Sequence, residues 1–287
     1  MAVYKRGYQR YEGVRTGRFA RLMVLPGYTW RNMLKKRLMV SLLIMSMFYP
    51  IFCIVFLYLS NNLDVLVNIG AGLDNKFLQI DSRFFLTFMW VQAGFSIVIS
   101  VFAGPSLVAP DLSNNALQLY FSRPFSRAEY VFSRMMVLLG LLFLVTWIPG
   151  LVLFFMQSCM AGWDWFAQNW NLGLGVFIGL LLWIMLVSLV AMAGSAYVRK
   201  RIMAEAFILA VFFIPIVGAN IFNNLFNVTW ASLLNPWQVI NQIWHWLLGA
   251  TTESGPTVFN CWLAFFAMIT LLLAVLRRKL RPVEVVS

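Results

Sequence analysis

The residue types that carry out catalysis are scarce in this sequence. His245 is the only histidine, and its flanking tryptophans, Trp244 and Trp246, are typical of a membrane interface rather than of a catalytic or ligand site. The sequence has no GxSxG or HExxH motif and no GxxxxGKS or GxxxxGKT loop that could hold nucleotide phosphates. It therefore predicts a chain that is not an enzyme and that binds no cofactor of its own.

A small set of neutral polar residues lies within one apolar stretch. Gln92, Ser96 and Ser100 recur every four residues, so they share one face of a helix. Such a face indicates either the lining of a transport pathway or neutral hydrogen bonding between helices, and both interpretations stay open.

The elements that position these residues are long apolar runs. The chain is 61% hydrophobic and 11% charged, with a mean hydropathy of +0.79, whereas about a quarter of the residues of a soluble domain are charged. Six runs are long enough to cross a bilayer as helices: Leu38–Leu59, Phe84–Val108, Met135–Met156, Leu172–Ala196, Ala204–Phe222 and Thr257–Leu276. We expect an all-α membrane protein with a basic segment at 1–37, a six-span domain at 38–276 and a basic tail at 277–287.

The basic residues predict how these spans are oriented. With six spans, all but two of the 22 Lys and Arg residues fall on the side of the termini, and the exceptions are Lys76 and Arg83. By the positive-inside rule, both termini are expected in the cytoplasm and the chain in the inner membrane. This placement also explains the net charge of +12 without any nucleic-acid partner.

Two further helices are expected beside the spans. Residues 16–37 are basic and aromatic, which favours a helix in the membrane interface, broken at Pro26–Gly27 and resumed over Thr29–Lys36. On the other side, Gln157–Asn171 is predicted to be a tryptophan-bearing loop. Asn235 and Pro236 are suited to cap and start a re-entrant or interfacial helix over Trp237–Leu248.

The loop between the second and third spans has the most regular local signals. Asp111 follows Pro110 and is suited to cap a short helix. Pro124 disfavours helix at Arg123 and predicts a turn. Ser126, with Glu129 three residues later, predicts a capping box at the start of the next helix.

Residues 115–127 read NALQLYFSRPFSR and are followed by Ser133 and Arg134. This stretch resembles a pattern of ABC-2 type ABC transporter permeases, close to G-T-L-E-x-L-L-x-x-P-x-S-R followed by G-K. Asn115, Ala116 and Gln118 stand where the family has Gly, Thr and Glu. The six-span layout, the basic N-terminal segment and the basic tail also resemble this family across most of the chain.

The resemblance implies that the loop is a coupling helix that docks on a separate cytosolic ATPase, which binds ATP and Mg²⁺. Two permease subunits and two ATPases would form the working unit in the lipid membrane and move a cargo, usually outward. The implied coupling residues are Asp111, Leu117, Gln118, Leu119, Arg123, Pro124, Ser126 and Arg127.

Two other classes are weighed against this one. An ion-coupled secondary carrier usually keeps ionisable groups near the membrane midplane, and no Asp, Glu, Lys, Arg or His lies centrally in the six runs. A non-transporting scaffold or assembly subunit is compatible with the composition.

Overall fold

The computed structural model describes residues 17–62, 79–114, 126–198, 200–251 and 255–279, which are mostly helical, with no strand among them. In chain order the helices are α1 (Arg18–Leu34), α2 (Arg37–Asn61), α3 (Ser82–Ala103), α4 (Ala109–Ser113), α5 (Arg127–Leu142), α6 (Ile148–Ala161), α7 (Trp163–Tyr197), α8 (Arg201–Phe226), α9 (Pro236–Leu247) and α10 (Val258–Lys279).

Six helical segments are long and apolar enough to cross a membrane, as the sequence predicts. The second joins α3 to α4 and the third joins α5 to α6, so the six are Arg37–Asn61, Ser82–Asp111, Glu129–Ala161, Trp163–Tyr197, Arg201–Phe226 and Val258–Lys279. The all-α fold and the six spans are thus confirmed within the described ranges, and they fit a multi-pass membrane protein.

Helix α7 lies at the centre of the bundle. Residues buried by the rest of the protein make up 72% of its apolar window, compared with 28% for α2, 22% for α8 and 17% for α10. The outer faces of α8 and α10 are apolar, as surfaces in contact with lipid would be. The bundle has two ends. We call the end at which α1 lies the α1 end, and the start of α3 lies at the opposite end.

The expected break at Pro26–Gly27 is wrong, because α1 runs without interruption from Arg18 to Leu34. Proline has no N–H to donate to the carbonyl four residues earlier, which here belongs to Leu22. The Ser133 hydroxyl of α5 donates to that carbonyl at 3.2 Å instead. A neighbouring helix therefore supplies the hydrogen bond that the proline cannot make.

The predicted loop at Gln157–Asn171 is also wrong. Helix α6 ends at Ala161 and α7 begins at Trp163, so the connection is the single residue Gly162. Its φ of 89° lies in the left-handed region, which glycine enters without steric cost. The tryptophans expected in a loop, such as Trp165, belong instead to the first turns of α7.

Two prolines of the spans lie at or beside irregular turns. Pro105 lies in the 3₁₀ turn Gly104–Ser106 between α3 and α4. Pro149 follows the π-helical segment Phe143–Trp147, and it cannot donate to the carbonyl of Val145. Pro50 and Pro215 lie inside the continuous helices α2 and α8.

Candidate functional site

A buried ionic contact closes the base of the loop between the second and third spans. The Arg134 guanidinium of α5 pairs with the Asp111 carboxylate of α4, and the side chains are 8% and 14% exposed. Arg134 Nη1 also donates to Thr29 Oγ1 of α1 at 3.0 Å. The Tyr130 hydroxyl donates to Asp111 Oδ2 at 2.7 Å. Four side chains from three helices thus meet at one point.

The predicted role of Asp111 as a helix cap is wrong. Asp111 lies inside α4, the short continuation of the second span. Its carboxylate is taken by Arg134 and Tyr130 rather than by backbone N–H groups at a helix start. The guanidinium carries a full positive charge, whereas a helix start offers only partial charges, so the carboxylate is stabilised more by Arg134 than by a cap.

Helix α1 is fixed to α5 by more than the arginine. The indole N–H of Trp30 donates to the carbonyl of Val137 at 2.9 Å. Gly140 permits this approach, since a Cβ there would lie 2.6 Å from Trp30 Cζ2. With the Ser133 contact to Leu22, these bonds tie the N-terminal helix to the third span.

The capping box predicted at the start of α5 is confirmed. Ser126 Oγ accepts from the Glu129 N–H at 3.2 Å, and Glu129 Oε2 accepts from the Ser126 N–H at 2.7 Å. Two N–H groups that the helix itself cannot satisfy are thereby paired. The chain enters α5 in a defined direction.

Of the predicted coupling residues, the structure places three. Asp111 lies at the buried base, Ser126 is exposed, and Arg127 begins α5. Leu117, Gln118, Leu119, Arg123 and Pro124 lie outside the described residues. The structure therefore gives the two flanks of the loop and how they are joined, and the coupling role stays a prediction.

The polar residues of the second span are buried between helices. Ser96 Oγ accepts from the Trp183 indole of α7 at 2.7 Å, and Gln92 Nε2 donates to the Ser46 carbonyl of α2 at 3.2 Å. Ser100 donates within its own helix, to the Ile97 carbonyl. Two of the three thus join helices, and a pathway-lining role for Gln92, Ser96 and Ser100 stays a prediction.

A cavity of about 1030 Å³ opens at the end opposite α1, between α3 and α9. Helix α9 begins as predicted, with Asn235 Oδ1 accepting from the Trp237 N–H at 3.1 Å and Pro236 in the first turn. Trp244 packs against α7 and donates to the Gly179 carbonyl at 2.9 Å. The apolar face of α9 is thus inside the bundle.

The opposite face of α9 lines the cavity and is the feature that the sequence interpretation missed. Gln238, Asn241, Gln242 and His245 all lie along it. Their spacing of three, four and seven residues places them on one face, and this spacing is the signal that could have revealed the site. From α3, Arg83 and Trp90 are among the residues that line it.

Hydrogen bonds orient the polar atoms of this cavity. Trp90 Nε1 donates to Asn241 Oδ1 at 2.8 Å. His245 Nδ1 lies 2.9 Å from the Asn241 carbonyl oxygen. Because a carbonyl only accepts, Nδ1 carries the proton, and Nε2 is the nitrogen left for a ligand.

No protein-family model matches the chain, and no curated protein matches it significantly. Among the described residues, no group of three or more His, Cys, Asp or Glu side chains could hold a metal ion. Cys53, Cys159 and Cys261 are free thiols.

Proposed function

We propose that this chain is the transmembrane permease subunit of an ATP-driven exporter of the ABC-2 type. In this proposal, residues 111–127 dock on a separate cytosolic ATPase and couple its cycle to the spans. The observation that carries it is the SRPFSR sequence of residues 122–127 on a loop whose flanks are joined by the buried Arg134–Asp111 pair. A docking loop must be held by the spans that it moves, and this pair supplies such a connection.

The contacts at the loop base support a mechanism for transmitting force. Asp111 ends the second span, Arg134 lies on the third, and Thr29 belongs to α1. Separating the two charges of this pair would leave each of them partly buried without its partner, which costs free energy. The two spans and α1 would therefore move as one unit when the ATPase pulls or pushes the loop.

The proposed location is the inner membrane, with both termini and the loop in the cytoplasm. At the α1 end, Arg31, Lys35 and Lys36 are exposed, and basic groups beside a span favour the cytoplasmic face. Helix α1 would then lie in the inner interface. Helix α9 would be a re-entrant helix entered from the outer side.

The proposed working unit contains two permease chains, two ATPase subunits and the surrounding lipid. ATP and Mg²⁺ would bind to the ATPase, since no nucleotide-binding loop occurs in this sequence. The proposal excludes any nucleic-acid partner, because the positive charge is explained by topology.

Co-purification tests this proposal. The chain would be purified from its own cells, with Leu117–Arg127 either native or replaced by alanine, and any ATPase that co-purifies would be identified by mass spectrometry. We expect the ATPase to co-purify with the native chain only. Replacement of Arg201 and Ile202, exposed at another connection of the α1 end, is the matched control and should leave the complex intact.

A complex that survives alanine replacement of the whole loop would contradict the docking claim. Transport that collapses with an ion gradient at constant ATP would favour the secondary carrier instead.

A further inference from the structure

The cavity between α3 and α9 carries positive charge and no negative charge among its described lining residues. Arg83 is its cation, and no Asp or Glu of the described ranges lines it. Asp81 lies two residues before Arg83, outside the lining, and its carboxylate caps α3 by accepting from the N–H groups of Arg83 and Phe84 at 3.0 and 3.2 Å. Arg83 is therefore the group of this cavity that can bind an anion.

The α9 side of the cavity supplies hydrogen-bond donors. Asn241 uses its Oδ1 to accept from Trp90, so its NH₂ group is left to donate. Gln242 is only 6% exposed, yet it lines the cavity, and the described residues offer it no hydrogen-bond partner. The Gln242 amide is open to the cavity, so a ligand there can accept a hydrogen bond from it.

The α3 side of the same cavity is mixed, with the polar residues Ser82, Arg83 and Thr87 beside apolar ones. Leu86 and Val91 line it beside Trp90, which is 38% exposed. The start of α3 lies at the end of a span, so the cavity adjoins the region where headgroups meet acyl chains in a bilayer. A ligand that is polar at one end and apolar at the other matches a cavity that combines these polar and apolar groups.

We propose that this cavity binds a phosphate-bearing headgroup. The Arg83 guanidinium would hold the phosphate, because its planar fork pairs with two oxygens at once. Asn241 and Gln242 would donate to the phosphate or to hydroxyl groups attached to it, and any attached chain would lie along Leu86 and Val91. The site requires neither an ATPase nor the loop at 115–125, so it stands apart from the export proposal.

Binding by the intact, detergent-purified chain tests the proposal. Native mass spectrometry would measure apparent affinities for phosphatidylglycerol, for phosphatidylcholine and for water-soluble glycerol 3-phosphate. The key variant is Arg83→Gln, since Arg83 is exposed and its replacement should not disturb folding. Arg83→Lys keeps the charge but loses the fork, and Arg201→Gln removes an exposed arginine at the α1 end.

We expect phosphatidylglycerol to bind more tightly than phosphatidylcholine. Arg83→Gln should weaken it about tenfold, as the loss of one charge-assisted hydrogen bond predicts. The affinity of Arg83→Lys for phosphatidylglycerol should lie between those of the native chain and Arg83→Gln. Arg201→Gln should bind this lipid as tightly as the native chain does. Gln242→Leu should also weaken binding, although it fills the same volume with an apolar group.

Binding of glycerol 3-phosphate shows whether the site needs a whole lipid or only a phosphate-bearing headgroup. Arg83-dependent binding of phosphatidylglycerol alone identifies a lipid ligand. Arg83-dependent binding of glycerol 3-phosphate as well identifies a site for which the headgroup is sufficient. Equal losses in Arg83→Gln and Arg201→Gln, or no Arg83-dependent binding of either compound, would overturn the proposal.

Discussion

At the scale of single residues, the contact of Arg134 with Asp111 is the most consequential feature of the α1 end. Neither residue is central in an apolar run, and the two are separated by the loop that the export proposal makes a docking element. The sequence marks both as polar residues near span ends, but not as partners. Their pairing depends on how α4, α5 and α1 pack, which no local pattern encodes.

Breaking this pair from one side should be strongly destabilising. Arg134→Leu removes the cation that pairs with the partly buried Asp111 carboxylate, and we expect a loss of about 2–3 kcal/mol. The double variant Asp111→Leu/Arg134→Leu removes both charges and should recover much of that loss. Thermal unfolding in detergent measures the effect.

The matched control is Arg201→Leu, which breaks the exposed Arg201–Glu205 pair and should cost less than about 1 kcal/mol. A loss in Arg134→Leu no greater than in this control would show that the buried pair does not hold the loop base.

The contact between Ser133 and Leu22 gives a second residue-scale prediction. Ser133→Ala should cost about 1 kcal/mol in the native chain, because the Leu22 carbonyl loses its donor. In a Pro26→Ala background, residue 26 regains an N–H that can bond the same carbonyl, so the cost of Ser133→Ala should fall towards zero. Thermal unfolding of the native chain, the two single variants and the double variant gives this double-mutant cycle. Additive losses of stability would show that the Ser133 hydroxyl does not replace the missing N–H of Pro26.

At the scale of elements, the sequence predicts the spans well and their surroundings less well. Apolar runs and caps are local signals, so the six spans, the Asn235 cap and the Ser126 capping box follow from them. The continuity of α1 through Pro26 depends on a donor from another helix. The cavity forms because α9 lies beside α3. The sequence shows that α9 has a polar face, but not that this face lines a cavity.

The close packing of α9 on α7 predicts how a substitution at Gly175 changes the stability of the chain. A Cβ at Gly175 would lie 2.8 Å from the Leu247 carbonyl oxygen, and a backbone atom there cannot move aside cheaply. Gly175→Ala should therefore destabilise the chain by about 1–3 kcal/mol, as overpacking does.

Gly218→Ala in α8 is the control, since nothing lies within 4 Å of its added Cβ. It should be neutral or stabilising by up to about 1 kcal/mol, because alanine favours helix over glycine. Similar effects at the two glycines, measured by thermal unfolding, would contradict the tight α7–α9 contact.

At the scale of the whole molecule, the two ends of the bundle have different chemistry. The α1 end has the buried ion pair and exposed basic residues, and the opposite end has the cavity and the exposed Cys159. The export proposal assigns the first end to the ATPase and the second to the outer face. That assignment rests on the positive-inside rule.

Thiol labelling tests this orientation. Cys53 and Cys261 are buried, so a membrane-impermeant maleimide should react with Cys159 alone. We expect labelling of Cys159 from the outer side of intact spheroplasts. A Ser126→Cys variant with Cys159 replaced by serine should react only after permeabilisation, and the reverse pattern would invert the topology.

The central claim is that the loop between the second and third spans docks on an ATPase. Site-specific photo-crosslinking in cells tests it most directly, with a photoreactive residue at Leu119 and, as a control, at Trp163, which is 76% exposed at the opposite end. The account predicts an adduct from Leu119 with a protein that mass spectrometry identifies as an ABC ATPase, and none from Trp163. Correctly inserted chains that give no ATPase adduct from Leu117, Leu119 or Arg123 would contradict it.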